Sequence, residues 1–319
     1  MEENIESAFQ LLSSEMRDLY PCIETLSSTP DPLTFYRKFV SQNRPVVIQN
    51  AISHYPALWK WGDKYLREKV GDQLVTVAVT PSGYADAICE DHFVMPEERS
   101  MLMSEFLDVI YTPPEQRNTQ GVFYIQKQNS NLYSEFSSLM EDVDSDVSWG
   151  TEAFGAKPDA VNFWMGDQKA VTSKYFKPNL NFYHKDDYDG LILLNIFIIP
   201  ESCTCAVYKQ NIDGEFVITP TESEDKVSWI AVDPLKPDLD KYPQYASARP
   251  LTVTVRAGET LYLPSLWFHH VQQSQACIAV NYWYDMDFDI KWAYYKFLEK
   301  LSSGKQSSSV KIAETVVPQ

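Results

Sequence analysis

Along the 319-residue chain the spacing of apolar positions switches between a period near 3.6 and a period of two, and the switches mark its elements. Ile5, Phe9, Leu11, Leu12, Met16, Leu19 and Tyr20 form a helical stripe, which predicts a helix over residues 4–28. Pro30 and Pro32 break that pattern, and a second helix is expected over 33–40. The β-branched run from Pro45 to Asn50 reads as a strand. A helix over 57–70 offers Trp59, Trp61 and Tyr65 to the core, and residues 73–80 alternate as a strand ending at a turn over Pro81–Gly83. A helix is expected within 96–111. Strands are expected over 121–127, 160–164, 170–172, 251–255, 260–263 and 276–284, and helical spacing returns from Asp285 to Leu301.

Many short strands framed by helices describe a mainly β protein, a barrel or double-stranded β-helix with helical decoration. No repeat and no linker interrupts the chain. It therefore reads as one domain over 1–304, with an N-terminal helical extension over 1–42, C-terminal helices over 285–304 and a disordered tail over 305–319.

Composition narrows the classes. Hydrophobic residues make up 44% of the chain and aromatic ones 13%, values of a globular protein with a large core. Acidic residues outnumber basic ones 44 to 27, a net charge of −17. That balance argues against unspecific binding to nucleic acid or anionic membrane and leaves room for a basic protein partner. The five cysteines contain no C-x-x-C pair, so neither a zinc knuckle nor a disulfide framework is expected. The polar N-terminus lacks an apolar signal core, and the longest apolar run, Leu191 to Ile199, is far shorter than a membrane span. An intracellular protein is expected.

The chemistry concentrates in three of five histidines. His184-Lys185-Asp186 lies in an extended-looking stretch, where residues two apart project to one face and an imidazole and a carboxylate can converge on a metal. Pro264-Ser-Leu-Trp-Phe-His269-His270 supplies a further imidazole 85 residues after His184, framed by the turn at Gly258 and by Trp267. Two histidines and one carboxylate are the facial triad of non-haem Fe(II) oxygenases, with coordination positions left for cosubstrate and dioxygen. Asp186, Asp187 and Asp189 do not form a calcium loop, since Lys185 and Ile196 stand where acids are required. No G-x-S-x-G elbow or cysteine signature supports a hydrolase triad.

The stretches Asn43–Ile48, Val79–Ala85, Tyr124–Gln128, Pro158–Trp164 and Leu263–Gln273 resemble the lysyl-hydroxylase branch of the Jumonji-C (JmjC) family. The resemblance covers roughly residues 33–172 and 208–304. It implies a JmjC, cupin-like double-stranded β-helix with N- and C-terminal helical extensions, using Fe(II) and 2-oxoglutarate. By motif, His184, Asp186 and His269 match the iron ligands, with His269 rather than His270 the third. Tyr124 and Thr172 match residues that bind 2-oxoglutarate, and Asn281 lies on a strand lining the same pocket. The implied activity is (3S)-lysyl hydroxylation of GTP-binding proteins of the developmentally regulated class, in cytoplasm and nucleus, with no direct contact to nucleic acid or membrane. Two other readings accompany it: a metal-dependent endopeptidase acting on methylated histone tails, and a catalytically impaired JmjC binding module.

The chain departs from the family between residues 174 and 207. Thr172 stands twelve residues before His184 where the family has three, and Lys174 to Tyr183 looks inserted. Ile199 occupies the place of the lysine that pairs with the distal carboxylate of 2-oxoglutarate. A buried carboxylate deprived of its cation costs about 3–5 kcal/mol, against the roughly 8 kcal/mol of a micromolar affinity. Lys174, Lys177 and Lys209 are the candidate replacements, and matching flanks around an unmatched middle are the pattern of a mis-spliced or mis-predicted exon. The acidic run Glu141–Asp146 reads as a solvated loop, with the recognition of a substrate lysine as its functional alternative. Trp292, Tyr294, Tyr295 and Phe297 make the C-terminal helix apolar on several sides, and a homodimer through it is expected.

Overall fold

A computed structural model describes residues 2–174, 188–192, 201–223, 225–248 and 250–308. The first helix, α1 (Glu2–Leu19), stops well short of residue 28. Tyr20 precedes Pro21, and a residue before proline is disfavoured in the helical region, so the chain leaves the helix and enters a strand, β1 (Glu24–Leu26). Asp31 caps α2 (Pro32–Phe35) by accepting from the Thr34 amide at 3.0 Å, and a π-helical turn over Tyr36–Val40 extends it. The fully buried β2 (Val46–Ile48) pairs with β1 in parallel. The helix expected over 57–70 is two, α3 (Ala57–Lys60) and α4 (Asp63–Val70), because Trp61 and Gly62 are extended between them. Trp61 reaches the core, but Trp59 is 66% exposed and does not.

Strands β3 (Leu74–Thr80), β4 (Ala87–Cys89), β5 (His92–Met95) and β6 (Glu97–Leu102) follow. The helix expected within 96–111 is confined to α5 (Met103–Tyr111), since Glu97–Leu102 pairs along β3 instead. Next come β7 (Val122–Ile125), α6 (Asn131–Ser134), α7 (Ser148–Phe154), β8 (Ala160–Gly166), β9 (Val171–Lys174) and β10 (Tyr188–Ile192). A long β11 (Glu201–Gln210) leads to β12 (Phe216–Pro220), β13 (Lys226–Trp229) and β14 (Leu251–Val255). The chain closes with β15 (Thr260–Tyr262), β16 (His269–Gln273), β17 (Cys277–Trp283) and α8 (Ile290–Ser308). That last helix runs four residues beyond the expected boundary at 304; the rest of the expected tail, 309–319, lies outside the described residues. None of the helices among the described residues is long and apolar enough to cross a membrane.

The strands assemble as the double-stranded β-helix that the sequence pattern anticipates. An antiparallel sheet runs β17-β8-β7-β3-β6, and a second runs β14-β10-β16-β9. Two further sheets, the three-stranded β1-β2-β15 and the five-stranded β12-β11-β5-β4 with β13 on β11, complete it. Alternation along β8 and β17 divides the interior. Val161, Phe163, Met165, Ile278, Val280 and Tyr282 pack under the helices, in one core with Phe35, Phe39, Trp61 and Phe106. Trp164, Cys277 and Ala279 face the other way and form a second core with Tyr124, Val47, Leu261, Leu263 and Trp267.

The acidic run 141–146 is solvated only in part: Glu141, Asp144 and Ser145 are exposed, but Asp142 and Val143 are buried. Asp142 has no exposed surface, and its carboxylate accepts from Lys60 Nζ at 2.7 Å, Trp61 Nε1 at 3.0 Å and the Tyr65 hydroxyl at 2.5 Å. Glu141 pairs with Lys69, and Asp144 pairs with His54 at 2.7 Å. The run is therefore a tie holding α3 and α4 to the loop before α7, and Asp142 cannot receive a substrate lysine. Burial acts to raise the Asp142 pKa, but the hydrogen bonds from Lys60, Tyr65 and Trp61 outweigh it and hold the carboxyl below its ordinary value. Because the folded pKa is depressed, the stability this group contributes is present above the ordinary carboxylate range and is lost as pH falls through the folded value. Asp142→Ala is expected to lower the unfolding free energy by about 3 kcal/mol at neutral pH. Urea titrations of the two proteins should begin to approach each other below roughly pH 4 and come closest below the depressed folded value.

Candidate active site

The histidine of the aromatic frame is placed by the backbone before it. Leu266 adopts a positive φ of 68°, which turns the chain so that Trp267 is buried. Its indole Nε1 donates to the Asn43 carbonyl at 2.9 Å, and its ring meets Tyr20 edge-on at 5.6 Å. Tyr20 in turn donates its hydroxyl to the Gln42 carbonyl at 2.6 Å, so the end of α1 and the approach to β2 brace the residue two before His269. His269 Nδ1 lies 3.3 Å from the Trp267 carbonyl oxygen. The Nδ1–H tautomer selected by that contact presents the Nε2 lone pair, the arrangement common to metal-binding imidazoles.

His270 takes the opposite face, as a neighbour on a strand must. It is 1% exposed, its ring centre lies 5.9 Å from that of Tyr84, and burial pushes its pKa down to about 4 against the opposing effect of Asp233. It is a neutral core imidazole, so of the adjacent pair the geometry leaves His269 for the site.

Strand β16 lies between β9 and β10, with Val271 opposite Thr172 and His269 opposite Lys174 and Ile192. Thr172 Oγ1 donates to the Tyr124 hydroxyl at 3.0 Å, and both residues are buried. Asn281, 1% exposed, accepts through Oδ1 from Asn162 Nδ2 at 3.1 Å. Tyr124 pairs with Gly166 and Asn281 with Asn162, four residues apart on β8, so both side chains leave the same face of the sheet. The opposite face carries Val280 and Tyr282, which line a separate cleft of about 450 Å³ beside Tyr55 and Trp149. Tyr124, Thr172 and Asn281 thus belong to the inner side of the β-helix.

His184 and Asp186 lie outside the described residues, as do Lys177 and Ile199. Among the described residues no three His, Cys, Asp or Glu side chains gather as a metal-holding group. Lys209 is exposed on β11, in a different sheet from the site strands.

The supporting roles of four residues emerge only in the structure: Gly166, Gln273, Asp167 and Arg117. Gly166 is needed because a Cβ there would stand 2.6 Å from Tyr124 Cδ2 and 2.7 Å from the side-chain amide of Gln273. Gln273, 2% exposed, donates its amide nitrogen to the carbonyl oxygens of Gly166 and Asp167, each at 3.0 Å. Asp167 forms a buried ion pair with Arg117, 50 residues away. Only the Gly166-Asp167 turn leaves a trace in the sequence, and nothing there names its partners.

A double-stranded β-helix that presents an oriented imidazole beside a buried hydroxyl pair has the framework of a cupin-type oxygenase. Comparison with known proteins places the chain within that class. Residues 32–290 match the cupin-like domain family. The chain is 45% identical over 93% of its length to the human bifunctional peptidase and (3S)-lysyl hydroxylase JMJD7, covering 98% of that protein. It is 38% identical to the lysine-specific demethylase JMJ32 of Arabidopsis thaliana, over 88% of this chain and 86% of that one. It is also 33% identical to JmjC domain-containing protein E of Dictyostelium discoideum, over 85% and 86% respectively. The chain belongs to the cupin-like family, in its JmjC branch of 2-oxoglutarate-dependent dioxygenases.

Members of that branch generally use Fe(II) and 2-oxoglutarate, and the residues described here fit both. His269 has the tautomer a metal requires, and the Tyr124–Thr172 hydroxyls form a buried polar pair suited to an anionic oxygen. Gly166→Ala is expected to displace Tyr124 or Gln273, lowering the unfolding free energy by about 1–3 kcal/mol as overpacking does. Denaturant unfolding followed by aromatic circular dichroism checks the magnitude and the displaced tyrosine together.

Proposed function

We propose that the protein is an Fe(II)- and 2-oxoglutarate-dependent hydroxylase of lysyl residues in a protein substrate, a GTP-binding protein of the developmentally regulated class, working in cytoplasm and nucleus. The observation that carries this reading is the orientation of His269 next to the strand bearing Thr172, which is hydrogen-bonded to Tyr124. The relative at 45% identity is named for the same reaction, and its name also includes a peptidase. His269 would hold the metal, with His184 and Asp186 assigned by motif alone. Tyr124 and Thr172 would hold a carboxylate of the cosubstrate, with Asn281 on the same inner wall. When bound, the pair supplies oxidation of an unactivated C–H bond by dioxygen, with release of succinate and carbon dioxide.

The chain's own residues orient and exclude. Accepting from Thr172 polarises the Tyr124 hydroxyl as a donor toward an anionic oxygen. Trp164, Trp267 and Leu263 wall this interior with apolar surface, which excludes water and strengthens the electrostatic interactions inside. The net charge of −17 favours encounter with a lysine-rich partner.

The test supplies Fe(II), 2-oxoglutarate and the lysine-bearing GTP-binding protein, and reads succinate together with a gain of one oxygen on lysine. His269→Ala should lower both by about 100-fold or more while the fold is kept. Peptide cleavage without succinate would instead support the metal-dependent endopeptidase. A folded protein that binds no 2-oxoglutarate would support the impaired binding module, with Ile199 in the place of the family's lysine.

A homodimer through α8 accompanies this reading. Phe288, Ile290, Tyr294 and Phe297 are each between 59% and 64% exposed, an apolar surface of the kind that associates. Light scattering of the paired substitution Tyr294→Glu and Phe297→Glu is expected to report half the mass of the unaltered protein; equal masses would remove the dimer.

A further inference from the structure

The turn that joins β8 to β9 carries more constraints than a surface connection needs. Asp167 sits in it with a side chain only 5% exposed, matched by the equally buried side chain of Arg117. Arg117 Nη2 donates to Asp167 Oδ1 at 3.0 Å, Nη1 pairs with Oδ2, and Nε donates to the Thr112 carbonyl at 2.7 Å. The guanidinium thus spans from the end of α5 to the turn with its fork matched to the carboxylate. Backbone bonds reach the same turn from other elements. The Asp167 amide donates to the Phe123 carbonyl at 3.0 Å, one residue before Tyr124, and the Ala170 amide donates to the Asp167 carbonyl at 3.0 Å. From β16, Gln273 donates to the Gly166 and Asp167 carbonyls, and its own amide donates to the Ala170 carbonyl at 3.1 Å. From the β3–β4 connection, the Gly83 carbonyl accepts from the Val171 amide at 2.9 Å.

What the turn positions is the cosubstrate wall. Gly166 packs on the Tyr124 ring at one end, and Thr172 follows two residues after Ala170 at the other. The strand that supplies Gln273 begins with His269. A shift of the turn therefore changes the Tyr124–Thr172 hydrogen bond and the pairing of β9 with the histidine strand together.

We propose that Arg117 and Asp167 are positioning residues for cosubstrate binding: their buried ion pair fixes the Gly166–Ala170 turn, and through it the Tyr124–Thr172 pair. The inference rests on the reading of Tyr124 and Thr172 as 2-oxoglutarate contacts. Both act through the turn, and neither is among the residues assigned to the metal or the cosubstrate. Asp167→Asn leaves a buried guanidinium without its counter-charge, and Arg117→Met leaves the carboxylate so. The double replacement Arg117→Met with Asp167→Leu removes both charges, so no buried ion is left without its partner and the fold is expected to be kept without the fork.

Two readouts on the full chain test this. Amide hydrogen exchange by mass spectrometry should rise at least about tenfold over residues 166–173 in each single variant, with β3 and β6 unchanged. Anaerobic titration with Fe(II) and then 2-oxoglutarate, followed by the visible band of the chelate, should show cosubstrate binding weakened by about tenfold and Fe(II) affinity held within about twofold. The double replacement should fold and still bind 2-oxoglutarate more weakly than the unaltered protein. Unchanged exchange over 166–173, or unchanged cosubstrate affinity in a folded variant, overturns the proposal. Raised exchange in a protein whose unaltered form never binds 2-oxoglutarate overturns the cosubstrate reading and leaves the turn as the element these residues hold.

Discussion

The arrangement at the site depends on the alternation of side chains along the strands β8 and β17 and along the histidine strand β16. On β8 and β17 every second residue enters the helix-covered core and every other one enters the β-helix interior. A shift of one residue would exchange Val280 and Tyr282 for Asn281, placing a polar amide among phenylalanines and apolar side chains against the inner wall of the β-helix. Filling the outer core with Phe35, Phe39, Phe106, Phe163 and Tyr282 therefore fixes the register. The hydrophobic effect acting on one face is what aims the polar groups of the other. The same rule separates His269 from His270: one imidazole is committed to burial beside Tyr84, and its neighbour is left to the site.

Polar groups in the protein are buried only where several donors meet them. Asp142 receives three, and Asp167 receives a guanidinium fork. A carboxylate taken from water without such company would cost several kcal/mol or take up a proton. Both knots lie between elements that are distant in sequence, one closing the helical layer over the main sheet and the other closing the turn between the two sheets. They act as registers for the packing more than as sources of net stability.

Much of the fold was legible in the pattern of apolar positions. Alternating runs located β3 and β14, apolar extended runs located β8 and β17, which are buried on both faces, and helical spacing located α8. The errors fell where local geometry overruled the pattern. The stripe from Ile5 continues apolar to Tyr20, yet Pro21 ends the helix and sends the chain into β1. The helix over 57–70 splits because Trp61 and Gly62 are extended, and Trp61 turns inward to reach Asp142. The acidic run 141–146 looked like a hydrated loop, since a sequence shows charge but not the lysine, tryptophan and tyrosine that fold over it.

The sequence by itself determined the class of the protein: a strand-rich pattern indicated a β-helix, and the stretches around Tyr124, Trp164 and His269 carried a resemblance to the JmjC family before any contact is known. Local chemistry suffices there because a metal site requires particular residue types at particular spacings. Why His270 is buried beside Tyr84 while His269 is not, why position 166 must lack a side chain, and that Arg117 answers Asp167 across 50 residues were decided by tertiary structure alone. Those facts depend on distances between elements, and distances between elements exist only once the sheets have packed.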